Sequence, residues 1–291
     1  MNARGKCAVV IYLDTKDLIS LLDGSDNHSA DEFEARLRDG GHELVLSSCT
    51  IFELAAPLRH RLGKINVMKR LNRLERLPIN FISDDVPRLE LVEALHAFSE
   101  GREYKEVYPF VDRLDASSNT EELPFARQLL DLGLAESVFE IWCREPQLLD
   151  AYHPWAQPFN EVLNADRALS DLPNLDVQFA NTIKKNLALD GLPAPSGGVT
   201  AFARWIRSAP SRCPSEQLRF ETFNQLRTNV QHIPSPSTFA DLVHLVSLPY
   251  VDLMTLDVTM ASYVRQASRS LSVKYGERIL RNVDAVIAAL D

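Results

Sequence analysis

Cysteine is scarce in this sequence, and nothing in the spacing of its four copies pairs them. Cys7, Cys49, Cys143 and Cys213 form no C-x-x-C, which excludes a disulfide framework or a structural zinc knuckle and favours free thiols in a reducing compartment. Long apolar runs are missing too. The longest near the start, Cys7 to Leu13, stops at Asp14; it is too short to span a bilayer and no small-residue cleavage pattern follows it, so the expectation is a cytoplasmic protein with no membrane partner. Glycine-rich phosphate loops are absent: neither G-x-G-x-x-G nor G-x-x-x-x-G-K-[ST] occurs, which removes dinucleotide-binding and P-loop readings. No G-x-S-x-G elbow supports a serine hydrolase, and Lys16 occupies the place where phosphoaspartyl chemistry would need a second Asp. Positive charge is in the minority, with 31 Lys and Arg against 40 Asp and Glu and a net charge of −9, so the chain does not bind nucleic acid by bulk charge.

What remains is an ordinary globular composition, 45% hydrophobic and 24% charged over 291 residues, enough for one large domain or two smaller ones. Its charge is segregated. Arg59, Arg61, Lys64, Lys69, Arg70, Arg73 and Arg76 face only Glu75 within residues 59–76, while the rest of the chain is correspondingly more acidic. A basic helix beside an acidic centre suits a metal-dependent nuclease, with Arg59, Arg61, Lys64, Lys69, Arg70 and Arg73 holding phosphates; a solvated helix face explains the same run equally simply.

The β-branched run Ala8 to Leu13 predicts a strand buried on both faces. Short helices closed by Asp23-Gly24 and Gly40-Gly41 follow, then a strand at 43–46, a helix at 50–62 interrupted by Pro57, the basic helix at 65–77 and a strand at 78–82. This alternation predicts a parallel α/β sheet with right-handed crossovers. From residue 86 to 235 helical patterns separated by proline-rich breaks take over, including 89–98, 125–143 and 202–206. Alternation returns with a helix at 238–247, a strand at 251–256, a helix at 260–270, a short strand near Ile279 and a final helix at 283–290. The expected architecture is a three-layer sandwich around a small, mainly parallel sheet. Residues 1–85 and 236–291 form its discontinuous domain, and 86–235 a mostly helical insertion.

Open parallel sheets bind ligands at the carboxyl ends of their strands. Asp14 and Asp257 directly follow predicted strands, Glu53 lies in the first turn of a helix after a strand, and Asp241 opens the helix feeding the last long strand. Four carboxylates converging on one rim would suit Mg²⁺ or Mn²⁺, hard cations that take oxygen ligands. Each acid also has a structural reading: Thr50 to Glu53 and Thr238 to Asp241 fit capping boxes, and Asp14 and Asp257 fit N-caps. Asp252, opening its strand, is expected about 15 Å from Asp257 at the opposite rim. His244, three residues after Asp241, either bonds a ligand carboxylate or fills the helix–sheet interface.

Tyr12-Leu13-Asp14-Thr15, then Ser47-Ser48 with Glu53 five residues beyond, then Asp241-Leu242-Val243-His244, Leu248-Pro249-Tyr250-Val251-Asp252 and Thr255-Leu256-Asp257 together resemble the PIN-domain nucleases. The resemblance covers residues 8–85 and 237–291 and leaves the middle unmatched. It implies a small parallel sheet whose acids Asp14, Glu53, Asp241 and Asp257 bind Mg²⁺ or Mn²⁺ and hydrolyse RNA phosphodiesters, with Ser48 and Thr255 as small polar neighbours. It also implies RNA as the substrate partner, an endonuclease or toxin role, and an inhibitor-type protein or a second copy as further partners. Lys16 stands where that family commonly has Asn, and the insertion lies outside the family's core. A second expectation of a different class is a nucleic-acid-binding or protein-interaction module on the same fold, without turnover, using the insertion for docking.

Overall fold

A computed structural model describes residues 8–24, 27–59, 63–111, 134, 138, 153–168, 174–231, 233 and 237–290. Its strands are β1 (Val10–Tyr12), β2 (Glu43–Leu46), β3 (Ile79–Ile82), β4 (Phe110–Val111), β5 (Leu253–Thr255) and β6 (Ile279–Leu280). They form one sheet in the order β4-β3-β2-β1-β5-β6, parallel throughout except for the β3/β4 pair. Successive connections step outward on one side of β1, from β2 to β3. The chain then returns to β5 on the other side of β1, placing the topological switch point between β1 and β5, where open sheets leave a crevice for ligands.

Alternation within the strands separates two cores. Ile11, Leu13, Leu44 and Leu46 point into a cluster with α1 (Thr15–Asp23), α2 (Asn27–Gly40), α3 (Ser48–Ala55), α4 (Lys64–Leu74) and α12 (Val283–Ala289). Tyr12, Val45 and Met254 point the other way, into a cluster with α9 (Pro214–Thr228), α10 (Thr238–His244) and α11 (Val258–Ser270). Helices therefore cover both faces, giving three layers. Gly24 (φ 66°) closes α1 and Gly41 (φ 65°) follows α2, both in the left-handed region that glycine enters without steric cost.

The stretch 86–235 builds a third core of its own. Leu91, Ala94 and Leu95 of α5 (Val86–Glu100) meet Phe179 and Ile183 of α7 (Leu175–Leu189), Phe202 and Ile206 of α8 (Val199–Arg207), and Phe220 of α9. The same stretch also reaches the sheet formed by the flanking segments. Its strand β4 pairs with β3, and α9 carries Leu218 and Leu226 into the second sheet-face core. The helix α6 (His153–Ala168) joins through Arg167, which donates to the carbonyls of Leu226, Arg227 and Asn229 at the end of α9. Of the helix expected at 125–143, the described residues include Leu134 and Val138, both helical and packed in the first core; the remainder lies outside the described residues.

Glu90 is the least hydrated acid here, fully buried in α5. Its carboxylate accepts from the Ser215 amide at 3.0 Å, the Ser215 hydroxyl at 2.7 Å and the Tyr250 hydroxyl at 2.5 Å. Burial outweighs these donors and pushes its pKa from 4.5 to about 7. Between those two values the folded state keeps a proton that the unfolded chain has released. Stability therefore falls as pH rises through this window and levels off above pH 7, by about 3 kcal/mol in all. Urea unfolding of Glu90→Gln across the same range is expected to show a shallower slope than wild type, with the raised carboxyls of Asp14 and Asp241 keeping their share, and to exceed wild-type stability above pH 7; an unchanged slope would exclude Glu90 as a source.

Candidate active site

Each of the four acids comes from the end of a different secondary-structure step. Asp14 follows β1, and its amide donates to Thr255 Oγ1 at 2.8 Å, so the ends of β1 and β5 are tied together at the switch point. Thr255, fully buried, also bonds the Asp17 carboxylate, one turn beyond Asp14 on α1. Glu53 projects from α3, Asp241 from α10, and Asp257 stands at the start of α11. All four line one cleft of 750 Å³. Ile19, Ala56, Met260 and Tyr263 supply apolar lining together with Leu226 of α9, through which the 86–235 stretch reaches the cleft.

The capping explanations separate cleanly. Asp257 is a true N-cap, accepting from the amides of Thr259 (2.7 Å) and Met260 (3.2 Å); both bonds go to Oδ1, and the cap does not use Oδ2. Asp14 occupies an N-cap position without making a cap bond. Ser237, not Thr238, flanks α10, and its side chain makes no cap bond. The capping box at Thr50 is replaced by a different arrangement: Ser47 caps α3 by accepting from the Thr50 amide at 3.2 Å, which frees Glu53 for tertiary contacts. Asp252 accepts from the Val10 amide at 2.9 Å and lines a separate cavity beside Tyr108 and Arg278, away from the four acids.

Charge crowding is the electrostatic signature of the cleft. Burial, then the neighbouring carboxylates of Asp17 and Glu53, raise the Asp14 pKa to about 6 against the pull of His244. Burial together with Asp257, Asp14 and Glu53 raises Asp241 to about 7. Glu53 runs opposite: burial pushes it up, but the hydrogen bond and charge of His244 and the Thr15 hydroxyl prevail and hold it below its ordinary value. Like charges held at low dielectric favour either protons or a cation between them. Among the described residues no three of the four acids bring ligating oxygens within 4.8 Å of one another; that closeness is reached only at Cys49, Glu53 and His244. Closing the acids around one small ion would therefore take side-chain rotation, against their mutual repulsion.

His244 does both things the sequence allowed. It is 1% exposed at the helix–sheet interface, and its Nε2 donates to Glu53 Oε2 at 2.9 Å. Its Nδ1 lies 2.5 Å from Tyr12 Oη, which also bonds Ser47 Oγ at 2.7 Å and Thr50 Oγ1 at 2.8 Å. Burial works against the imidazolium, but Tyr12, Cys49 and Glu53 raise its pKa well above the usual histidine value. Tyr12→Phe removes the hub of this network and is expected to cost about 1–3 kcal/mol in a denaturant melt, the range for stranding buried polar partners.

The basic stretch is placed elsewhere. Arg70 is held bidentately by Asp23, with both contacts at 2.6 Å, and Arg73 pairs with Asp31 at 3.4 Å. Lys64 and Lys69 are exposed on α4, Arg59 ends the 3-10 turn Ala56–Arg59, and Arg61 lies outside the described residues. None of the described members lines the cleft; the cation among the described lining residues is Lys16. Ser48 is also drawn off, bonding Asp84 through both its hydroxyl and its amide. The sequence names Tyr12 and Thr15 within a motif and Cys49 as a free thiol, but assigns none of the three a role beside the acids. Asp17 was within its reach, because an acid three residues after Asp14 on a helix shares its face.

No family model matches the chain, and neither does any curated protein or solved structure.

Proposed function

We propose that the protein is a divalent-metal-dependent ribonuclease, an endonuclease that hydrolyses RNA phosphodiester bonds at the cleft of Asp14, Glu53, Asp241 and Asp257. The supporting observation is the gathering of these acids, distant in sequence, at the switch point of one sheet, with the Asp14 and Asp241 pKa values raised to about 6 and about 7. An all-carboxylate donor set fits Mg²⁺ or Mn²⁺, and resemblance to the PIN-domain nucleases favours the same chemistry. The bound cation supplies Lewis acidity at phosphate and a nucleophilic water at neutral pH.

The chain's own residues divide the remaining work. Asp14 and Asp241, the most crowded acids, are the principal ligands. Asp257 offers Oδ2 while Oδ1 holds the start of α11. Glu53 is oriented by His244 and Thr15. Thr255 fixes the Asp14 backbone, acting as a positioning residue. Lys16 at the rim is the charge available to a substrate phosphate, in place of the paired Arg70 and Arg73.

Incubation of the purified chain with single-stranded RNA is expected to give cleavage with Mn²⁺ and none with a chelator. Binding without cleavage under Mg²⁺ and Mn²⁺ would instead favour an interaction module. Two properties would accompany the enzyme reading in thermal melts. Mn²⁺ should raise the wild-type Tm, and Asp241→Asn should raise the metal-free Tm while abolishing the Mn²⁺ response. An identical Mn²⁺ shift in wild type and variant would count against the site.

A further inference from the structure

Behind the carboxylate cleft lies a second set of ligating atoms with different chemistry. Cys49 and Glu53, four residues apart on α3, share a helix face, and α10 brings His244 against it. Cys49 Sγ is 3.7 Å from His244 Nε2, that nitrogen is 2.9 Å from Glu53 Oε2, and all three atoms lie within 4.8 Å of one another. A tetrahedral centre with bonds of about 2.0–2.3 Å spaces its ligand atoms about 3.3–3.8 Å apart, so only a small outward movement of Glu53 is needed.

The surroundings suit a metal-binding imidazole. Tyr12 Oη engages Nδ1 at 2.5 Å and is itself fixed by Ser47 and Thr50, which orients the ring and leaves Nε2 for a ligand. Cys49 is fully buried, whereas Glu53 reaches the cleft and provides the path inward. A thiolate, an imidazole and a carboxylate are poor ligands for Mg²⁺ as a set and good ones for zinc.

We propose that Cys49, His244 and Glu53 form a three-ligand site for a borderline-soft divalent cation, Zn²⁺ or its spectroscopic substitute Co²⁺, with the fourth position open to water from the cleft. Binding exchanges the Nε2–H···Oε2 hydrogen bond for metal bonds; the thiol proton and the Nε2 proton pass to solvent, and Nδ1 keeps its proton toward Tyr12. The site shares Glu53 with the carboxylate cleft, so zinc there competes with Mg²⁺ or Mn²⁺ for that ligand. Its existence does not depend on RNA cleavage.

The test is a Co²⁺ titration of the full chain after chelator treatment. Wild type is expected to develop a thiolate-to-cobalt charge-transfer band that Zn²⁺ bleaches. Cys49→Ser and Cys49→Ala should lack the band, Cys213→Ser should keep it, and His244→Gln should weaken Co²⁺ binding by at least about tenfold. Absence of the band from wild type, or its survival in either folded Cys49 variant, would overturn the proposal. Should neither Cys49 variant fold, the triple variant Cys7→Ser, Cys143→Ser and Cys213→Ser decides the matter: it is expected to keep the band, and loss of the band there would overturn the proposal.

Discussion

Asp241→Asn is expected to lower Mn²⁺-dependent RNA cleavage by about a thousandfold while leaving the protein folded. The size follows from the loss of a principal charge ligand, comparable with the removal of one preorganised electrostatic contact at a reacting centre. Folding is preserved because replacing it relieves repulsion from Asp257, Asp14 and Glu53. Asp14→Asn should behave alike. The double variant should be scarcely worse than either single one, since ligands of one centre act as a unit. Cleavage rates measured under single-turnover conditions with saturating Mn²⁺ provide the check. Wild-type rates in both single variants would place the chemistry elsewhere.

His244→Leu carries the largest expected effect on stability. It keeps most of the volume but strips Glu53 of its buried cationic partner and leaves Tyr12 Oη with one contact fewer. Breaking the pair leaves the Glu53 charge uncompensated on its buried side, and because that side chain keeps 29% exposure toward the cleft the cost is about 3 kcal/mol, at the low end for buried pairs. For a chain of this size that corresponds to a Tm lower by roughly 10 °C. His244→Gln, which retains a polar side chain, should recover part of the loss. A change below about 1 kcal/mol in urea melts of His244→Leu would mean that Glu53 finds solvent or another donor at no cost.

The site acids were legible because strand ends are legible. A β-branched run broken by Asp marks both the strand and the rim, and Asp14 and Asp257 needed nothing more. Their caps were half legible: Asp257 does cap its helix, whereas Ser47 rather than Thr50 begins α3. Other features had no local signal. β4 is two residues long, too short for any period to appear, and joins the sheet only because β3 offers a free edge. The Tyr12, Cys49 and His244 cluster joins residues up to 232 positions apart, and no spacing rule reaches across that distance. The basic helix shows the opposite failure. Its charge was plain in the sequence, but Asp23 and Asp31 face Arg70 and Arg73 only after α1, α2 and α4 pack together.

Closure of the four carboxylates on a divalent cation is tested most directly by anomalous diffraction from crystals soaked in Mn²⁺. The expected result is a manganese peak within bonding distance, about 2.0–2.3 Å, of oxygens from Asp14 and Asp241, with Asp257 or Glu53 bound directly or through water. A fully occupied manganese elsewhere on the molecule, with the cleft of Asp14 and Asp241 free of anomalous density, would contradict it.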